Sequence, residues 1–239
     1  MAMDTTVNGQ RGNASLFNVI EILSELVVYH HYDFNQFLKK FITVMIQVLP
    51  VDSCLIYVYD KDKRHLILAG SKKPHNEQIG RIILEKGEGI TGWVAEHQKT
   101  VAIEKRSYKD ARFKFFEDLP EDRYEAFLSV PILNEEGVVG VINLQHKDPY
   151  VFKKTQIRTV EALVKLIASA FAQVMLQRKI DQLENKLAER KIVERAKGVL
   201  MQERRITEDD AYHFIRKEAM NKRKSMREVS EAILLLLNK

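Results

Sequence analysis

Three clusters in this sequence hold residue types that do chemistry. Gly87-x-Gly89-x-x-Gly92, with Asp110 eighteen residues further on, has the spacing with which a glycine loop cradles a pyrophosphate and a carboxylate takes a ribose hydroxyl. His30-His31 offers two imidazoles, but adjacent helical residues point about 100° apart and do not share a metal ligand, so surface histidines are expected. The third cluster is cationic: Lys197, Arg204, Arg205, Arg216, Lys222, Arg223, Lys224 and Arg227 crowd one stretch near the C-terminus. Cations of this kind neutralise phosphates and release condensed counterions. The single cysteine, Cys54, forbids an internal disulfide and excludes a cysteine-based zinc site. It reads as a core-packing thiol. No carboxylate pair, Ser-His-Asp set or metal cluster stands at a recognisable spacing, and His213 is followed by Phe214 where a phosphate-accepting kinase histidine has an acid beside it. No catalytic residue, metal or cofactor is therefore expected.

The elements around the glycine loop decide its meaning. Residues 16–30 carry Leu16, Val19, Ile20, Leu23, Leu26 and Val27 at helical spacing, and a second helix after Asp33 carries Phe34, Phe37, Leu38, Phe41, Val44, Met45 and Val48. The period then changes to two: Cys54 to Tyr59 and Arg64 to Ala69 read as a hairpin, followed by a short strand at Ile79 to Leu84. After the glycine loop come Val101-Ala102-Ile103, a long charged stretch with Phe113, Phe115 and Phe116, and then Phe127 to Leu133 and Val138 to Gln145 joined by Asn134-Glu135-Glu136-Gly137. That last turn makes a hairpin, so the sheet is antiparallel and the parallel return a dinucleotide site needs is missing. The expected fold class is α+β, a central antiparallel sheet with flanking helices, followed by a coiled-coil helix and a small three-helix all-α unit.

The details of residues 16–176 resemble a GAF domain: Gly87-Glu88-Gly89-Ile90-Thr91-Gly92-Trp93-Val94-Ala95-Glu96, Ser129-Val130-Pro131-Ile132, Gly140-Val141-Ile142-Asn143-Leu144, and Phe152 opening the last helix. The resemblance implies a sensor that takes a small-molecule ligand between the sheet and the excursion at Glu104 to Tyr124, or one that serves only for dimerisation. The Asn-Lys and Asp-Glu pattern of cyclic-nucleotide-binding members is absent, and Cys54 lies in the first strand, away from any bilin attachment point. The ligand is left unnamed.

Beyond residue 176 the charge balance shifts. Residues 177–239 hold 16 Lys and Arg against 11 Asp and Glu, whereas residues 1–176 hold 22 of each, so the chain's whole excess of +5 sits in the tail. Leu183, Leu187, Ala196, Val199 and Leu200 form one apolar stripe on a polar helix. A second helix opens at Thr207 followed by Glu208, Asp209 and Asp210. A third opens at Ser225 with Glu228 in a capping-box spacing and runs through Val229, Ile233, Leu236 and Leu237. Arg190, Lys197 and Arg204 lie seven apart on one face. Gly198 beside Lys197 would let a polyanion approach the backbone, or would serve a tight helix–helix contact instead. Phe214 has the phase of a core residue, and Tyr212 and His213 fit either side.

The run Arg190-Lys191-Ile192-Val193-Glu194-Arg195-Ala196-Lys197-Gly198-Val199-Leu200-Met201, continued by Glu208, Ala211, Ile215-Arg216, Ala219-Met220 and Met226-Arg227-Glu228-Val229, resembles the ANTAR domain, an RNA-binding module of bacterial transcription antiterminators. Ser230 departs from it, standing where a small apolar residue is usual. The resemblance implies that residues 183–239 bind paired stem-loops in nascent transcripts. The RNA-binding residues expected are Arg190, Ala196, Lys197, Gly198, Met201, Arg204, Arg205, Arg216, Lys224 and Arg227.

No Gly, Ser or Pro linker separates the two regions. Leu163, Ile167, Ala170 and Val174, then Leu176, Ile180, Leu183 and Leu187 one residue out of phase, have the spacing of a coiled-coil seam, predicting a stalk at 170–190 and a parallel homodimer through the 163–187 helix. The first of these sets also suits packing on the chain's own sheet. Residues 1–15 are polar, lack the apolar core of a signal peptide and are expected to be disordered. The longest apolar run, Phe41 to Leu49, is far short of a membrane span, so a cytoplasmic protein without a membrane partner is expected. A DNA-binding regulator or a GAF-based scaffold docking a protein are the competing readings.

Overall fold

The computed structural model describes residues 19–27, 33–73, 77–116 and 119–237. The segment at 1–15, Leu16 and the His30-His31 pair lie outside them. The chain divides into two compact units, Met1–Leu176 and Gln177–Lys239.

In the first unit, α1 is helical over residues 19–27 and α2 spans Phe34–Val48. Asp33 caps α2 by accepting a 2.8 Å bond from the Gln36 amide. Six strands follow: β1 Ser53–Asp60, β2 His65–Ser71, β3 Ile83–Glu85, β4 Val101–Ile103, β5 Ala126–Asn134 and β6 Gly137–His146. They form one antiparallel sheet in the order β3-β2-β1-β6-β5-β4. Helix α3, Gly89–His97, lies between β3 and β4 in sequence. The strand expected at Ile79 to Leu84 is shorter and later, because Gly80 sits at φ +82° in a turn that breaks the extended chain before Ile83. The charged stretch before β5 holds two 3₁₀ turns, Ser107–Lys109 and Pro120–Arg123.

The period of two in β1, β5 and β6 builds two cores. Cys54, Ile56, Val58, Leu128, Val130, Ile142 and Leu144 face the helices α1, α2 and α4. Phe37, Phe41 and Phe171 meet there edge to face, with ring centroids 5.9–6.4 Å apart. Gly140 admits this packing, since a Cβ there would stand 2.5 Å from the Tyr57 carbonyl oxygen and 3.3 Å from the Phe171 ring. Leu55, Tyr57, Phe127 and Val141 point the other way, against α3 and the excursion.

Helix α4 spans Lys154–Arg204. Val160, Leu163, Val164, Ile167, Ala168, Phe171 and Val174 are buried against the first core, so Leu163, Ile167, Ala170 and Val174 belong to the domain's own packing and not to an intermolecular seam. Leu176, Ile180, Leu183 and Leu187 are 39–62% exposed, which confines the expected seam to that second set. By length and composition α4 also contains an 18-residue window apolar enough to cross a membrane, a feature the sequence reading missed, and 44% of that window is buried.

The second unit packs the C-terminal part of α4 with α5, Glu208–Lys222, and α6, Met226–Leu237. Val193, Ala196, Leu200, Ala211, Ile215, Ala219, Val229 and Ile233 form its core. Both expected caps are present: Thr207 and Asp210 exchange a capping box, and Ser225 and Glu228 exchange bonds of 2.8 and 3.1 Å. Leu236, expected inside, is 76% exposed, because a helix packed along one edge hides only Val229, Ser230 and Ile233.

Candidate functional site

The tail's cations fall into three groups. Arg190, Arg205, Arg216 and Lys224 are exposed, and Arg205 and Arg223 carry the left-handed turns, at φ 54° and 51°, that end α4 and α5. Arg204 and Arg227 are exposed but engaged: the Arg204 guanidinium lies 4.3 Å from the Phe214 ring centroid, and Arg227 Nε donates to Glu231 at 2.8 Å. Phe214 is half-buried against the small core as its phase implies, while Tyr212 and His213 are exposed beside one another.

Lys197 stands apart. Only 7% of it is exposed, and its Nζ sits 2.8 Å from Glu194 and 2.7 Å from Glu208. Glu194 and then Glu208 hold its ammonium above the usual lysine value, and Lys197 in turn lowers the Glu208 carboxyl. A lysine so bound presents little charge to a phosphate. Its geometry is that of a clasp between α4 and the first turn of α5. Ala196 is fully buried in the core, a packing position and not a contact surface, and Met201 is 37% exposed.

Gly198 is exposed on α4. A Cβ there would meet nothing within 4 Å, so no helix–helix contact among the described residues requires glycine at this position. The missing Cβ leaves an open notch in the helix surface, one residue on from the clasp.

The glycine loop of the first unit serves the fold. A Cβ at Gly92 would stand 2.5 Å from the Glu85 carbonyl oxygen, so the glycine lets α3 sit directly on β3. Asp110 is engaged by Arg112 through two 2.8 Å bonds, and that guanidinium covers Trp93 at 4.7 Å. The Asp110 carboxyl lies below its usual value because Arg112 donates to it.

Between the sheet and the excursion lies a cavity of about 30 Å³. On its sheet side, Asn143 Nδ2 donates to Thr91 Oγ1 at 2.8 Å and Asn143 Oδ1 accepts from Ser129 Oγ at 2.7 Å, a buried relay that fixes the amide. On the excursion side the turn Pro120–Arg123 brings in Glu121 and Asp122, 1% and 7% exposed. Asp122 accepts from the Phe116 amide, and the Glu121 carboxylate faces Lys73 Nζ at 3.5 Å. Burial would lower the Lys73 ammonium, but Tyr124 and Glu121 raise it above its ordinary value. Burial first, then the charges of Asp122 and Glu121, push the Tyr57 phenol upward. Sequence reading missed these acids. The available signal was a Pro-Glu-Asp turn inside the excursion, which looks like any solvated charge cluster.

The first unit is thus an α+β domain whose antiparallel sheet encloses a small cavity under an excursion, and the second is a basic three-helix unit. The chain belongs to the GAF domain family, whose model matches residues 31–172, and its tail is an ANTAR domain matching residues 181–234. The transcriptional regulatory protein PdtaR of Mycobacterium tuberculosis is 24% identical over 183 residues, covering 72% of this chain and 89% of that protein. A phosphoenolpyruvate-dependent phosphotransferase system protein of Salmonella typhimurium is 24% identical over 152 residues, 62% of this chain but 19% of that protein. Among solved structures, the GAF domain from an Acinetobacter phosphoenolpyruvate-protein phosphotransferase aligns with a TM-score of 0.59 at 23% identity, over 70% of this chain and 98% of that one. The corresponding domain from Coxiella burnetii aligns with a TM-score of 0.59 at 21% identity, over 68% of this chain and 98% of that one. Likeness at these identities is a likeness of fold.

Proposed function

We propose that this chain is a non-enzymatic, cytoplasmic regulator of transcription antitermination. Its ANTAR tail binds paired stem-loops in nascent RNA, two copies are joined through the Leu176–Leu187 stretch of α4, and the GAF domain sets how the tails are presented. The observation that carries this reading is the exposure of Arg190, Arg205 and Arg216 in the unit that holds the chain's entire excess of +5. The ANTAR match and the similarity to a transcriptional regulatory protein support it. Met201 and Lys224 join the contact surface, Arg204 and Arg227 do so from their intramolecular partners, and Lys197 and Ala196 hold the surface in place.

Signal transfer requires only that the GAF domain bind its ligand with different affinity in two arrangements of α4, and couplings of about 1–3 kcal/mol change RNA affinity several-fold to a hundredfold. α6 hides Val229 and Ile233 and carries few base-reading side chains at its start, which disfavours a groove-inserting recognition helix.

The test is binding of the full chain to a two-hairpin RNA and to duplex DNA across a salt series. The RNA is expected to bind more tightly, and replacing Arg190, Arg205 and Arg216 one at a time by alanine should lower the salt slope by roughly 0.7–0.9 for each phosphate no longer neutralised. Equal affinity for duplex DNA, or an unchanged slope in all three variants, overturns the reading.

A further inference from the structure

Helix α4 carries a second line of residues on the first unit, on the side turned away from the core. Ala162, Leu166, Ser169, Gln173 and Leu176 are exposed, while Leu163, Val164, Ile167, Ala168, Phe171 and Val174 between them are buried. The spacing of the exposed set alternates four and three, and in the sequence it continues without a slip into Ile180, Leu183 and Leu187. The phase change near Met175 disappears once Leu163, Ile167, Ala170 and Val174 are assigned to the domain's own core. Strict alternation of four and three is the 3.5-residue repeat that two supercoiled helices share.

The chemistry of this line selects its occupant. Of the residues exposed on α4 between 162 and 177, only Lys165 is charged, in a chain that is 30% charged overall. A face meant for water carries more charge, and a face meant for a nucleic acid carries cations. Leu166 and Leu176 instead leave large apolar side chains 63% and 62% exposed. Further along, Lys179 and Glu184 flank the line five residues apart with opposite sign, so that in a parallel pair each stands across from its counterpart on the other copy. That charge pattern is complementary to a second copy of the same helix. Ala162 and Ser169 are small enough for two helices to come close, and Gln173 sets one amide among apolar positions, a device that fixes register at a cost in stability.

We propose that two copies of this chain pair their α4 helices in parallel along Ala162, Leu166, Ser169, Gln173 and Leu176, so that the GAF domain itself forms part of the dimer contact. This rests on the proposed joining of two copies through residues 176–187. The part of the contact on the GAF domain is the weaker one, since Ser169 and Gln173 stand where Ile180, Leu183 and Leu187 follow. A change in that domain can loosen it while the three apolar positions keep the copies together.

The experiment is disulfide trapping in the full chain. Its one native cysteine, Cys54, is buried, and burial pushes the thiol up to about 12, so it stays silent under mild oxidation at neutral pH. Ser169→Cys puts a thiol on the line, where in a parallel pair it meets the same residue of the other copy within the reach of a disulfide. Lys165→Cys puts an exposed thiol beside the line, four residues earlier. Ser169→Cys is expected to give at least tenfold more covalent dimer than Lys165→Cys, and equal trapping of the two, or none by Ser169→Cys, overturns the proposal. Leu166→Asp should keep the melting transition, because the side chain is exposed in a single copy, and should weaken the dimer at least tenfold in sedimentation equilibrium. Gln173→Leu should tighten it several-fold. An unchanged dimer constant in Leu166→Asp overturns the proposal as well. A dimeric parent that Ser169→Cys does not trap leaves the joining through residues 176–187 standing and removes the contact on the GAF domain, whereas a monomeric parent removes both.

Discussion

Lys197 and Glu208, eleven residues apart in the chain, meet at 2.7 Å, and the same ammonium reaches Glu194 at 2.8 Å. A cation that the sequence offers as a phosphate contact is therefore the clasp that holds the start of α5 to α4. In the proposed function it positions neighbouring groups.

The clasp makes a pH prediction with a defined sign. Glu208 is depressed in the folded state, so its contribution is present above the unfolded carboxyl value of roughly 4.3 and is lost as pH falls through the folded one. Lys197 is raised, so its contribution is present below the unfolded value of roughly 10.4 and is lost as pH rises through the folded one. Thermal melting of the full chain followed by circular dichroism should show the tail's transition falling below about pH 4. Lys197→Met should lower that transition by roughly 5 °C at neutral pH and flatten its acid dependence. A variant that melts like the parent yet loses RNA binding would restore Lys197 as a direct contact.

Gly198→Ala separates stability from recognition. The site is exposed and open around the missing Cβ, so alanine should stabilise the helix by about 1 kcal/mol through propensity. If RNA approaches the backbone there, the more stable variant binds the two-hairpin RNA at least tenfold more weakly in a filter or fluorescence assay. Unchanged affinity would mean that the notch is not used.

Ser230 is fully buried with its Oγ unpaired among the described residues. Ser230→Ala removes an unsatisfied hydroxyl at nearly constant volume, so denaturant unfolding should show a stability equal to the parent or higher by up to about 1 kcal/mol. RNA affinity should not change.

Leu183 and Leu187 are each 54% exposed on α4. Leu183→Glu, combined with Leu187→Lys, should convert a dimer to a monomer in sedimentation equilibrium and weaken binding to paired hairpins more than to a single hairpin. A parent chain that is monomeric at micromolar concentration would remove the stalk from the mechanism.

Much of the fold was legible because it rests on local periodicities. The period of two from Cys54 to Tyr59 sends alternate residues to opposite cores, and the caps at Thr207 and Ser225 form from residues three apart. The hairpin turn ending at Gly137, at φ +113°, needed only its own residues to rule out a parallel return. The ANTAR and GAF matches follow from such patterns, which are properties of neighbours along the chain.

The sequence alone determined the two-part organisation, the antiparallel sheet and the concentration of positive charge in the tail, since composition and short-range spacing suffice for each. Only tertiary structure decided which cations are offered and which are consumed, because Lys197 finds Glu208 across a turn and Arg204 finds Phe214 on another helix. It settled on the sheet the first half of the α4 repeat, whose spacing suited either that packing or a seam, and left the second half exposed. It alone turned Glu121 and Asp122 inward beside Gln145, 24 residues away from Glu121. Burial and charge pairing depend on what the folded chain brings together from a distance, and a carboxylate carries no mark in sequence of whether it will meet water or an aromatic wall.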